Sequence, residues 1–83
     1  MALLIPPQVM KQIAGMPLAN AKRLLDRLEA IAEAPAERHP NVVGLAGQRG
    51  TFRLRQRDWR AVFSIEDGDV VSDRVGHPRE VYR

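Results

Sequence analysis

Between Thr51 and Ile65 apolar and polar residues alternate with the period of a β-strand, and a two-residue break at Arg57-Asp58 divides the run into two arms of a hairpin. A turn of that length fixes the register. Gln56 then pairs with Trp59, Leu54 with Ala61 and Phe52 with Phe63, so the apolar side chains of both arms share one face. Arg55 falls directly opposite Arg60 on the other face, with Arg53 as a diagonal neighbour. Like charges placed across an antiparallel pair cost stability. Three guanidinium groups crowded on one small patch suggest a polyanionic partner.

The charge is local. The formal net charge is only +3, yet the chain carries 11 arginines against 2 lysines, five of the arginines falling from Arg49 to Arg60 with a single acid among them. Acids gather instead at Glu66, Asp67, Asp69 and Asp73. Such a field steers an anion to one place, and the planar guanidinium suits bidentate phosphate contact better than an ammonium does.

At 83 residues, 45% apolar and 28% charged, the chain reads as one soluble globular domain spanning 1–83. The absence of cysteine excludes disulfides and thiolate metal sites and makes a cytoplasmic protein the simplest reading. With histidines only at positions 39 and 77, no metal-ligand cluster is expected. The opening Met-Ala-Leu-Leu-Ile-Pro-Pro has no basic n-region and no long apolar core, so it does not read as a signal peptide. No segment approaches the roughly 20 apolar residues of a membrane helix.

Along the chain, Leu3 to Ile5 reads as a short strand stopped by Pro6-Pro7. A helix from about Pro7 to Ala14 ends at Gly15, and Pro17 opens a second. In that second helix Ala21, Leu24, Leu25, Leu28, Ile31 and Ala32 form one apolar stripe, opposite Lys22, Arg23, Asp26, Arg27, Glu29 and Glu33. Pro35 closes it. Residues 35–50, with Pro40 and three glycines, read as a connecting loop anchored in the core by Leu45. The hairpin follows, then a turn at Glu66-Asp67-Gly68-Asp69 and a last strand from Val70 to Val75. The order strand, helix, helix and three consecutive strands predicts an α+β fold, the helices packed on one face of an antiparallel sheet.

Three linked pieces carry a resemblance: Leu45-Ala-Gly47 before the sheet, Phe52-Arg-Leu-Arg-Gln-Arg-Asp-Trp-Arg-Ala-Val-Phe63 in the hairpin, and Gly76-His-Pro-Arg-Glu-Val-Tyr82 at the end. In order and spacing they resemble the RelE/ParE superfamily of bacterial toxins. The resemblance covers the C-terminal half, and the N-terminal half matches only in its helical hairpin pattern. The RelE-type branch cleaves messenger RNA, often in the ribosomal decoding site, whereas the ParE-type branch poisons DNA gyrase. The ending is similar to that of the RNA-cleaving branch.

The resemblance implies cleavage without metal or cofactor, in which the 2′-hydroxyl of the RNA attacks the adjacent phosphorus. Arg60 and Arg55 match basic positions suited to stabilising the phosphorane, His77 one suited to protonating the leaving 5′-oxygen, and Arg79 and Tyr82 the terminal arginine and tyrosine. Tyr82 is suited to stacking on a base or orienting the hydroxyl. Arg53, Arg57, Arg49 and Arg83 complete the expected RNA-binding set.

Two departures stand out. Relatives often carry lysine where Arg53 and Arg55 stand, and arginine does not serve as a base; Pro78 replaces a usual basic residue. Glu80 and Asp58 are the nearby carboxylates, and Asp58 also fits as a plain turn residue. Trp59 reads as packing and His39 as an ordinary surface residue. The implied partners are a cognate antitoxin, with Leu3, Leu4 and Ile5 as docking points, and messenger RNA at the ribosome, with no membrane. The alternatives are a gyrase-inhibiting toxin that binds protein, or a degenerate relative that only binds its antitoxin.

Overall fold

The computed structural model describes residues 2–81. Its elements are β1 (Leu3–Leu4), α1 (Pro7–Ala14), α2 (Leu18–Glu33), β2 (Val42–Gly44), β3 (Thr51–Gln56), β4 (Trp59–Glu66), β5 (Asp69–Gly76) and α3 (Pro78–Val81). Five strands make one sheet in the order β1-β5-β4-β3-β2. The sheet is mixed rather than antiparallel throughout: after both helices the chain enters at the far edge, β2 to β5 pair antiparallel in succession, and β5 ends beside β1, which it pairs in parallel. No helix among the described residues is long and apolar enough to cross a membrane.

Both long helices begin behind proline, whose fixed φ suits a first turn and whose missing N–H has no role there. Gly15 ends α1 in right-handed geometry, φ −81°, and its N–H is shared between the Lys11 and Gln12 carbonyls. The helix therefore ends at Gly15 without a left-handed cap. On α2 the stripe is as the spacing predicts: Ala21, Leu24, Leu28, Ile31 and Ala32 are buried, and Leu25 packs at the margin. These residues meet Leu54, Ala61, Phe63, Val70 and Val75 in the main core.

Residues 35–50 are not all loop. Val42–Gly44 forms an edge strand on β3, with Val42 opposite Leu54 and Gly44 opposite Phe52. That register turns Val42 toward the core, while Leu45 stays half-buried outside it. Three residues are too few for alternation to show in the sequence. His39 is also more than a surface residue: half-buried, its ring Nε2 donates to the Ala34 carbonyl at 2.8 Å, capping the C-terminal end of α2. Arg27 ties down the same segment by donating to the Pro40 carbonyl.

A bulge divides β5. Phe63 pairs with Ser72 but Val62 pairs with Arg74, so Asp73 is the extra residue, its carboxylate accepting a 2.7 Å bond from the Ser64 hydroxyl. Beyond the reach of β1, the Val75 N–H donates to Gln12 Oε1 of α1 at 2.8 Å, so a side chain supplies the acceptor a neighbouring strand would otherwise give. Gln12→Ala is expected to lose about 1–3 kcal/mol, the cost of stranding a buried donor. Urea unfolding measures this, and faster exchange of the Val75 amide locates it.

Ser72 presents the reverse case. Its side chain is fully buried opposite Phe63, and its hydroxyl has no hydrogen-bond partner among the described residues. Since an unmet buried hydroxyl is penalised, Ser72→Ala should raise stability by about 1 kcal/mol. A lower urea midpoint in that variant would show that the hydroxyl is satisfied in solution.

Candidate functional site

The hairpin register is the one the alternation predicts. Gln56 pairs with Trp59, Arg55 with Arg60, Leu54 with Ala61, Arg53 with Val62 and Phe52 with Phe63. Since Leu54, Ala61 and Phe63 lie in the helix-side core, Arg53, Arg55 and Arg60 belong to the opposite face. The bulge adds a fourth arginine, because Arg74 pairs across Val62 and so shares the row of Arg53. Regular alternation through β5 would have hidden Arg74. The one-residue offset, which has no sequence signature here, sets it beside the others. By register Glu66 and Asp69 occupy this face too, at the far end of the strands. The face is therefore polarised, cationic toward the Arg57-Asp58 turn and anionic away from it.

The turn shapes the cationic end. Arg57 adopts φ 55°, a left-handed conformation that costs a non-glycine residue about 1–2 kcal/mol. Its carbonyl accepts a 2.7 Å bond from Arg60 Nη1, which also donates to the Trp59 carbonyl at 2.9 Å. Arg60 is accordingly half-buried and held back over the turn rather than extended into solvent. A guanidinium already fixed loses little freedom on meeting an anion. Arg55, directly opposite, is exposed, Arg53 is half-buried, and Arg57 and Asp58 are exposed at the tip.

The last segment crosses the sheet end. Pro78 opens α3, which packs on β4 and β5, and Arg74 Nη1 donates to the Val81 carbonyl at 3.2 Å. Val62 and Val81 are buried outside the main core cluster and close the arginine side of the sheet. Arg79 is exposed on α3, and Arg49 is exposed in the loop before β3, away from the turn in sequence. Tyr82 and Arg83 lie outside the described residues.

His77 is not brought onto the arginine face. It follows Gly76, which pairs with Arg60, so the next position of the strand faces Trp59. The two rings meet there, centroids 4.5 Å apart and tilted by 45°, with the imidazole exposed and the indole half-buried against the core. Trp59 thus packs as expected and also touches the histidine. Among the described residues no three His, Asp or Glu side chains gather as a metal site. On the helix side Met10 and Leu18 are exposed beside an apolar groove of about 390 Å³ between α1 and α2.

A family model described as ParE toxin of type II toxin-antitoxin system, parDE, matches residues 5–82. None of the curated proteins compared with the sequence matches it significantly. Among solved structures, the chain is similar to one in the RelB-RelE antitoxin-toxin complex of Methanococcus jannaschii, with a TM-score of 0.80 at 16% identity over 95% of this chain and 94% of that one. A chain of the RelE-RelB complex of Pyrococcus horikoshii gives 0.78 at 23% identity, with 92% of each covered. The isolated RelE toxin of E. coli gives 0.76 at 22% identity over 96% of this chain and 88% of that one. At such identities these likenesses speak for the fold, and the family model speaks for descent. The chain belongs to the RelE/ParE superfamily of toxins from type II toxin-antitoxin systems.

Proposed function

We propose that this toxin is a metal-free endoribonuclease that cuts messenger RNA at the ribosome, by attack of a 2′-hydroxyl on the neighbouring phosphate. The observation that carries the reading is the cationic end of the sheet: Arg55 opposite Arg60, with Arg53 and Arg74 flanking Val62, all on rigid strands. Charge fixed in this way stabilises a phosphorane more than it stabilises the ground-state phosphodiester, and that difference accelerates the reaction. In this reading Arg60, Arg55 and Arg79 serve the reacting phosphate, and Arg53, Arg57, Arg49 and Arg83 hold the flanking backbone. Tyr82 stacks on a base, and His77, turned toward Trp59 rather than the arginines, takes no part in the step.

A cognate antitoxin is the expected protein partner, in keeping with the antitoxin complexes among the similar structures. The second reading, a gyrase poison acting through protein contacts, is favoured by the ParE description of the matching family model. Primer extension on messenger RNA from bacteria briefly expressing the wild type and Arg60→Ala separates them. New 5′ ends within translated regions, absent with the variant, support the nuclease. Growth arrest with intact messenger RNA supports the gyrase reading.

A further inference from the structure

Arg74 is the arginine that the bulge at Asp73 turns onto the cationic face. It pairs across Val62, two residues along β4 from Arg60, and so is a diagonal neighbour of Arg60 at roughly 7–8 Å. Its Nη1 donates to the Val81 carbonyl at 3.2 Å. That carbonyl belongs to the peptide bond leading into Tyr82, so the bond ties the exit of α3 to the row beside the Arg55–Arg60 pair. Little else directs α3. Its four residues are too few for a helix stable by itself, and Pro78 brings no N–H to the first turn. Val81 is buried, as is Val62 on the arginine side of the sheet, both outside the main core. Apolar contact is non-directional, so it presses α3 onto the sheet without setting its orientation. The bond from Arg74 supplies the direction.

We infer that Arg74 is a positioning residue, whose hydrogen bond to the Val81 carbonyl fixes the point on the cationic face from which Tyr82 meets the RNA. The inference rests on the nuclease reading. It adds that Arg74 acts through the C-terminal segment rather than as one more cation on the phosphate: a terminal nitrogen of its guanidinium is already committed to a carbonyl of the chain.

The test uses the whole chain as wild type, Arg74→Met, Tyr82→Ala and the double variant Arg74→Met/Tyr82→Ala. Methionine keeps an unbranched apolar stem and removes the donor. NMR relaxation of the Val81 amide, which bonds to the His77 carbonyl at 3.0 Å, reports whether α3 stays docked. Single-turnover cleavage of a messenger RNA on stalled ribosomes gives rate and half-saturation separately. In Arg74→Met the Val81 order parameter should fall from about 0.85 to below about 0.6, with the sheet amides unchanged. The saturated rate should fall roughly 10–100-fold. The double variant should cleave no more slowly than Tyr82→Ala, since two residues acting as one unit are not additive. A rigid Val81 amide in Arg74→Met, a wild-type rate in that variant, or losses that multiply in the double variant would each overturn the inference while leaving the nuclease intact, and the last would make Arg74 a separate phosphate contact. A wild type that cuts no RNA would remove the nuclease reading and this inference with it.

Discussion

Phe63→Ala is expected to cost about 3–5 kcal/mol of folding stability, the range for removing an aromatic ring from a packed core. Phe63 is 1% exposed and heads the largest fully buried side chains, in the central strand of the sheet. Its ring stacks on that of Phe52, centroids 5.6 Å apart and planes 22° from parallel, so truncation leaves a cavity and an unpartnered ring together. For a domain of this size such a loss removes a large part of the total stability. Chemical denaturation of wild type and variant measures it, and a variant within about 1 kcal/mol of wild type would show that the hairpin does not carry the core described above.

Arg60→Ala should abolish most activity while sparing the fold. If Arg60 donates to the developing phosphorane, deletion lowers cleavage by about 10²–10³-fold, the effect of losing one preorganised donor. Its structural contribution is smaller. The guanidinium is half-buried and makes two bonds to local carbonyls, which places the stability loss near 1 kcal/mol. Cleavage and urea unfolding should therefore diverge in this variant, and a matched collapse of both would assign Arg60 to the scaffold. Arg55→Lys offers a useful contrast, because lysine keeps the charge but not the planar fork.

The parts of the molecule with strong periodicity were legible in the sequence. The hairpin pairing from Thr51 to Ile65 and the α2 stripe follow from alternation and helical spacing, because burial of one face leaves a single workable register. β2 was not legible, since three residues carry no period and its position depends on pairing with β3. Arg74 was hidden by the bulge at Asp73, a tertiary accommodation that returns Val75 to the core. The location of His77 was hidden for a related reason: the tail motif gives residue types, whereas the register of Gly76 against Arg60 decides which side the next residue takes. Arg60 itself is less open than a solvent-facing residue, because the left-handed Arg57 turns a carbonyl toward it.

The hydrogen bond from the Val75 amide to Gln12 also bears on how this protein behaves when crowded. A sheet grows by templating, each outer strand offering amides and carbonyls to a newcomer. On one flank the outermost strand is two residues long and runs into Pro6 and Pro7, and the Gln12 amide already occupies the donor beyond it. On the other flank the template is the three residues of β2. Neither flank is long enough to seed a fibril from the folded state, so self-association through strands would have to begin from partly unfolded chains. Its onset at high concentration is then set by folding stability, and Phe63→Ala should be the most fibril-prone of the variants considered.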